Sequence, residues 1–197
     1  MVDGERSPGP EGAFPGDLSG PVEIAFEQRD NPQLLLLHFR TVLTDEMAEK
    51  YTRTSASATP QWIRGAFDYQ TISDVHMMRY RVRFRTYRKR SDWQPFIDFL
   101  CAGLLPRSLG QVAHRQLAAG QLRRTFSVPE PFDSLTVIEG LAASLGHPLM
   151  AELFQIPGVA EIKGQGHALT IKRAALYGWE EIEARLPGAL EPQEQAS

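Results

Sequence analysis

Apolar and polar residues alternate along two neighbouring stretches near the start of the chain. In residues 22–29 (VEIAFEQR) apolar side chains occupy every second position, as in a half-buried strand. Residues 30–32 (DNP) have the composition of a turn, and residues 33–40 (QLLLLHFR) then predict a partner strand. The two stretches together predict a β-hairpin.

Helical spacing follows further along the chain. After Pro60 a short helix is predicted by apolar residues at helical spacing, namely Trp62, Ile63, Ala66 and Phe67. Residues 75–78 and 81–87 predict two strands. Beyond them, with Ser91 as a candidate N-cap, a single helical stripe is predicted by Trp93, Phe96, Leu100 and Leu104.

The same order of apolar positions returns in the second half of the chain. Five positions lie 87 residues after an apolar position of the first half: Leu149 after Trp62, Phe154 after Phe67, Val159 after Ile72, Leu169 after Val82 and Ile171 after Phe84. A second helical stripe follows the first at an offset of 86, formed by Trp179, Ile182, Leu186 and Leu190. A shared offset across helices and strands predicts two diverged copies of one unit.

These patterns predict an α+β protein made of two tandem copies of a small β-sheet unit with two helices each, packed together. The Gly-, Pro- and acid-rich residues 1–20 are expected to be a disordered lead-in. Residues 21–106 would form the first copy and residues 107–190 the second. Pro106 and Gly110 mark the boundary, and residues 191–197 are expected to be a flexible tail.

The most unusual stretch is residues 79–90 (RYRVRFRTYRKR), which alternation predicts to be the last strand of the first copy. Tyr80, Val82 and Phe84 would face the core, and the opposite face would carry Arg79, Arg81, Arg83 and Arg85. Three more basic residues follow: Arg88, Lys89 and Arg90. The corresponding stretch of the second copy, residues 168–173 (ALTIKR), is not basic throughout, so the fold does not require the arginines.

Charge along the chain suggests what this basic stretch could meet. The formal net charge is −3, but residues 61–124 hold twelve Arg and Lys against four Asp and no Glu. Arginine suits carboxylate and phosphate groups, so an acidic protein partner or a nucleic acid is possible. The negative overall charge, with Tyr87 as the one neighbouring aromatic candidate, favours the protein partner. A solvated sheet face that resists aggregation is the third alternative.

Residues 147–186 of the second copy carry a family resemblance. The segment has Ile156-Pro157-Gly158-Val159, a strand of the ALTIKR kind and then Trp179. It resembles the N-terminal domain of the Nfu/NifU-like iron–sulfur scaffold proteins. The motif positions are Pro148, Leu149, Phe154, Pro157, Gly158, Val159 and Trp179. The first copy is a weaker match, with Thr71-Ile72 in place of the Gly-Val pair.

The resemblance implies a protein-interaction module in iron–sulfur cluster assembly or delivery. In full-length scaffolds of this family a separate domain with a Cys-x-x-Cys motif holds the cluster, and nothing in this sequence corresponds to it. Thiolates hold such clusters, whereas the only cysteine of the sequence is Cys101, predicted to be a small buried thiol. Iron or an iron–sulfur cluster is therefore implied only by family association, and no cofactor is expected on this chain alone. Partners would be assembly factors or client proteins.

No other motif predicts chemistry. The five histidines include no i, i+4 pair and no metal signature, so no metal site is predicted. No nucleophile-elbow or similar motif accompanies Ser91, Asp92 or His76, so the protein is predicted to be non-enzymatic. Residues 164–166 (GQG) precede a strand and predict a hairpin turn. The longest apolar runs are too short to span a bilayer, which with the single cysteine predicts a cytoplasmic protein without a membrane partner.

Overall fold

The computed structural model describes residues 23–28, 31–45, 48–54, 61–69, 71–89, 92–104, 122–188 and 190–192. Five antiparallel strands form the first sheet, in the order β1-β2-β5-β4-β3. Their bounds are β1 Ile24–Gln28, β2 Leu34–Phe39, β3 Glu49–Thr52, β4 Ile72–Met78 and β5 Arg81–Thr86. The predicted α+β class is confirmed.

The first hairpin joins β1 to β2 in antiparallel register. Its turn is held by Asn31, whose side-chain oxygen accepts the N–H of Gln33 at 2.9 Å and whose carbonyl accepts the N–H of Leu34 at 3.1 Å. An Asn side chain that accepts a hydrogen bond from the backbone two residues later favours a turn. The predicted hairpin is therefore confirmed, with strands slightly shorter than the alternating pattern.

Two helices cover one face of this sheet. Helix α1 is Gln61–Ala66, and helix α2 is Gln94–Phe99, continued by a π-helical turn at Leu100–Leu104. Their apolar sides join the inward-facing strand residues in one core, which includes Trp62, Ile63, Val82, Phe84, Trp93, Phe96 and Leu100. The indole N–H of Trp93 donates to the carbonyl of Pro32 at 3.0 Å, so α2 is tied to the turn of the first hairpin.

The second sheet has the strand order β7-β6-β8, with β6 Arg123–Ile138, β7 Val159–Arg173 and β8 Glu191–Pro192. Three short helices accompany it: α3 Leu141–Ser144, α4 Pro148–Phe154 and α5 Trp179–Glu183. Residues 191 and 192, the first two of the expected flexible tail, form β8, whose backbone pairs with Phe126 and Ser127. No helix in the described part of the chain is long and apolar enough to cross a membrane.

Strand β7 bends back on itself. The N–H of Ala174, just after β7, donates to the carbonyl of Gly158, just before it, at 2.7 Å. Fifteen residues in a straight strand would separate these ends by about 50 Å. The bend lies near the middle, where Gly166 has a φ of 53°, as the GQG turn predicts.

The two sheets pair corresponding residues, at offsets of 87 to 89 positions along the chain. In the first sheet Leu35 pairs with Phe84. In the second sheet Arg124, 89 positions after Leu35, pairs with Ile171, 87 positions after Phe84. Tyr51 pairs with Val75, and Ile138 pairs with Ile162, both 87 later. Positions of the two sheets can therefore be compared one by one.

Candidate partner-binding site

Three arginines of β5 point away from the core of the first sheet. Val82 and Phe84 are fully buried among the helices, so Arg81, Arg83 and Arg85 lie on the other side of the strand. On β4, Asp74 pairs with Arg85 and His76 pairs with Arg83. We call the surface formed by Asp74, His76, Arg81, Arg83 and Arg85 the arginine face.

The predicted basic residues differ in exposure. Arg81 and Arg83 are half-buried, whereas Arg85 and the next two basic residues, Arg88 and Lys89, are exposed. Arg90 lies outside the described residues. The exposure of the arginine side chains therefore increases along β5, from the half-buried Arg81 and Arg83 to the exposed Arg85.

Several polar atoms on this face have no hydrogen-bond partner in the described part of the chain. They are the Nε of Arg83, the Nδ1 of His76 and the Oδ1 of Asp74, and all three are buried. Asp74 is only 8% exposed, and its other oxygen accepts the hydroxyl of Ser73 at 2.9 Å. Unsatisfied buried polar atoms cost free energy, and three of them cluster on this face.

The charges around His76 favour its neutral form. Burial lowers the pKa of His76, and the nearby guanidinium groups of Arg83 and Arg81 lower it further. Asp74 and Glu139, which follows β6, act in the opposite direction without reversing the shift. A neutral imidazole can donate or accept a hydrogen bond, depending on its tautomer.

In the second sheet, the cations near the matching positions form ion pairs with a glutamate. Glu161 and Lys172 stand 87 residues after Asp74 and Arg85. Glu161 accepts Lys172 Nζ at 2.6 Å and Arg123 Nη2 at 3.0 Å. Burial acts to raise the pKa of Glu161, but the bonds from Lys172 and Arg123 outweigh it and lower that pKa. On the arginine face, by contrast, no ion pair within the described ranges involves Arg83 or Arg85.

Arg79 does not belong to the arginine face, which corrects the alternating pattern. It lies in the turn between β4 and β5, is 6% exposed and donates through Nη2 to the carbonyl of Phe154 at 2.9 Å. Its guanidinium also pairs with Asp45 and stacks over the ring of Phe154, 5.4 Å from the centroid. The prediction is wrong because the backbone turns at Arg79 and Tyr80, so strand alternation does not extend to them.

The neighbouring tyrosines connect the two halves of the chain. The hydroxyl of Tyr80 accepts the N–H of Gly158 at 2.9 Å, and its ring packs edge-on against Tyr177. Burial raises the pKa of Tyr177 to about 12, so its hydroxyl stays protonated and donates to the carbonyl of Arg40 at 2.7 Å. Gly158 has a φ of 95°, and a Cβ there would lie 2.6 Å from the ring of Tyr177.

The other residues of the family-like motif serve the fold of the second half. Pro148 and Leu149 open α4, Phe154 closes it, and Val159 opens β7. Pro157 is exposed, in the turn between α4 and β7. Trp179 is buried at the start of α5, with the guanidinium of Arg124 5.0 Å from its ring centroid. Phe154, Val159 and Trp179 belong to the core of the second half, and Phe154 also contacts Arg79 of the first half.

Cys101 is exposed, so its predicted burial is wrong. It follows the fully buried Leu100 at the start of the π-helical turn, on the side of that turn that faces away from the core. In the described ranges, no three side chains of His, Cys, Asp or Glu group together as metal ligands would.

The β4 half of the arginine face was not predicted from the sequence pattern. Asp74 and His76 stand in a stretch with no clear alternation, so neither was predicted to share a face with the arginines. Counting outwards from the turn at Arg79 and Tyr80 would have placed His76 opposite Arg83, since antiparallel strands pair symmetrically about their turn.

Comparison with known proteins gives little. No family model matches the chain, and no curated protein matches its sequence. Among solved structures, the crystal structure of protein SAV1430 from Staphylococcus aureus matches with a TM-score of 0.35 and 10% identity, covering 40% of this chain and 93% of that protein. That likeness is too weak to assign a fold family or a function.

Proposed function

We propose that this chain is a non-enzymatic adaptor that binds an acidic protein partner through the arginine face. One observation carries the proposal. Arg83 and Arg85 project from β5 without an ion pair in the described part of the chain, whereas Lys172 of the second sheet is neutralised by Glu161. Arginine forms paired hydrogen bonds with carboxylates, so an acidic surface fits this face.

We further propose that the two halves are diverged copies of one unit resembling the N-terminal domain of Nfu-type scaffolds. The corresponding pairing registers of the two sheets support this, as do matching buried positions such as Phe67 with Phe154 and Trp93 with Trp179. A duplication would leave one copy free to acquire a new surface, and the arginine face belongs to the first copy only.

The resemblance suggests the class of partner. It favours an iron–sulfur assembly factor or a client protein that receives a cluster, and we expect the chain to act in the cytoplasm. No cofactor is assigned to the chain itself, so iron would be carried by its partners.

A pull-down from the native cytosol under anaerobic, nuclease-treated conditions tests the adaptor proposal. The Arg81→Glu, Arg83→Glu variant should lose the bound proteins, because two attractive contacts become repulsive. The matched control is Lys163→Glu, Arg185→Glu, which makes the same change in charge at two exposed positions of the second half. Equal recovery by all three proteins would contradict the proposal, as would loss in both variants.

A nucleic acid or another polyanion is the second candidate. The observation in its favour is an exposed cluster directly after β5, where Tyr87 is 66% exposed beside Arg88 and Lys89. Bases stack on such aromatic side chains while cations contact the phosphates. Binding that is lost after nuclease treatment, and that falls steeply with salt, would favour this candidate over the adaptor.

A further inference from the structure

We propose that residues 134–138 of β6, which we call the β6 edge, bind an extended segment of a partner protein that adds to the second sheet as a strand. The segment would be apolar at alternate positions and basic at its ends. The β6 edge shares no residue with the arginine face, so this inference goes beyond the proposed function.

The β6 edge has a neighbouring strand on one side only within the described ranges. Residues 136–138 pair with β7, whereas β8 pairs with β6 only at Phe126 and Ser127. The side of residues 134–138 that faces away from β7 is therefore an open edge of the sheet. Backbone N–H and C=O groups along an open edge can pair with a strand from another chain.

Two large apolar side chains are exposed on this edge. Leu135 is 56% exposed and Val137 is 52% exposed, whereas the next residue, Ile138, is buried in the core of the second half. Leu135 and Val137 stand two residues apart, so strand alternation places them on one face. Exposed apolar residues scattered singly are ordinary, but an adjacent pair on an open edge is typical of an interaction surface.

The matching strand of the first sheet carries a charge at this position. Val137 stands 87 residues after Lys50 of β3, the outermost strand of that sheet. The two residues form corresponding pairs, Lys50 with His76 and Val137 with Lys163. An exposed lysine on an edge strand opposes pairing with another chain, and Lys50 is exposed. The second sheet has valine there, so its edge lacks this protection.

Acidic side chains on both sides of the apolar pair favour a basic occupant. Asp133 lies two residues before Leu135, Glu139 lies two residues after Val137, and both acids are exposed. The exposed cation opposite Val137 is Lys163, which the two carboxylates outnumber. A strand with a basic residue at each end would place one cation near each carboxylate, and opposite charges on neighbouring strands attract.

A second copy of this chain fits the β6 edge less well. The antiparallel register centred on Thr136 would place Leu135 opposite Val137 of the second copy. The same register would place Asp133 opposite Glu139, and like charges directly opposite each other destabilise a strand pair. The charges therefore favour a different protein with a basic strand.

Two capped heptapeptides test the inference by fluorescence anisotropy: Lys-Thr-Val-Thr-Val-Thr-Lys, and the same sequence with serine at both ends. The wild type should bind the lysine-ended peptide about fivefold more tightly, because two exposed ion pairs are gained. Val137→Lys should weaken that binding about tenfold, because an apolar contact is replaced by a repelling charge. Leu145→Lys is the matched control, since Leu145 is 73% exposed and lies away from the edge, after α3.

Two further changes separate the contributions of charge and backbone. Asp133→Lys, Glu139→Lys should reverse the preference, so that the serine-ended peptide binds more tightly. A lysine-ended peptide that is methylated at every internal backbone nitrogen should lose binding, because strand addition needs its N–H groups.

Several outcomes would overturn the inference. They are unchanged binding in Val137→Lys, an equal loss in Leu145→Lys, no preference between the two peptides, and full binding of the methylated peptide. A wild-type dimer in sedimentation that Val137→Lys converts to a monomer would also overturn it, because a second copy would then occupy the edge. The variant Arg81→Glu, Arg83→Glu should still bind the lysine-ended peptide at least as tightly as the wild type does. The pull-down on the arginine face therefore fails or succeeds independently of this test.

Discussion

Two arginines of one stretch, Arg79 and Arg85, should affect stability to very different extents when truncated. Arg79→Ala removes the donor to the Phe154 carbonyl and empties a buried site, so we expect a loss of about 2 to 4 kcal/mol in the free energy of unfolding. Arg85→Ala removes an exposed side chain and should change it by less than about 0.5 kcal/mol. Urea unfolding of both variants measures the difference, and similar values would contradict the separate roles.

At the same scale, alternation predicts side-chain direction only inside a strand. It identified Val82 and Phe84 as core residues and their neighbours as outward-facing. It failed at Arg79 because the turn there contains no Gly, Pro or Asn to mark it. Cys101 lies in a helical turn, where the burial of its neighbour Leu100 does not extend to the thiol.

The hairpin of β4 and β5 should make stability depend on pH through His76. Charged groups face it from Lys50 on β3, Asp74 on β4, Arg81 and Arg83 on β5, and Glu139 after β6. Its pKa is lowered in the folded state, so the unfolded chain takes up the proton first as the pH falls. The folded state should therefore lose stability below about pH 6.5, until the pH reaches the lowered pKa.

Urea unfolding at pH 7.5 and at pH 5.5 measures this dependence. His76→Gln removes the titrating group, so the variant should lose less stability between the two pH values than the wild type does. His147 is exposed and provides the control, since His147→Gln should leave the wild-type difference in place. An unchanged difference in His76→Gln would show that the hairpin does not control this titration.

Short elements with local signals were predictable at the scale of strands and helices. The hairpin of β1 and β2 and the helix that follows Trp93 both have side-chain patterns that neighbouring residues complete. The full length of β6 and the position of β8 were not predictable, because they depend on pairing with residues far along the chain. The β4 half of the arginine face was missed for a different reason: its pairing with β5 is local, but the turn at Arg79 and Tyr80 has no Gly, Pro or Asn to mark it.

For the whole molecule, the second sheet takes its outer strand from a different part of the chain. In the first sheet β1 lies beside β2, where Phe26 pairs with Leu37. In the second, β8 from the C-terminal end lies beside β6, where Pro192 pairs with Phe126, 89 residues after Leu37. Each sheet therefore has a strand at this edge, β1 beside β2 in the first and β8 beside β6 in the second, although β1 precedes its neighbour in the chain and β8 follows it.

The two halves should unfold as one unit because polar and aromatic contacts join them. Tyr80→Phe removes the hydroxyl that accepts the Gly158 N–H, a buried contact, so we expect a loss of about 1 to 3 kcal/mol. Tryptophan fluorescence and far-UV circular dichroism should still give coincident urea transitions at a lower midpoint, with Trp93 in one half and Trp179 in the other. Tyr87→Phe is the control, because that exposed ring should not affect the midpoint. An unchanged midpoint for Tyr80→Phe, or separate transitions in the wild type, would mean that the halves are stable independently of each other.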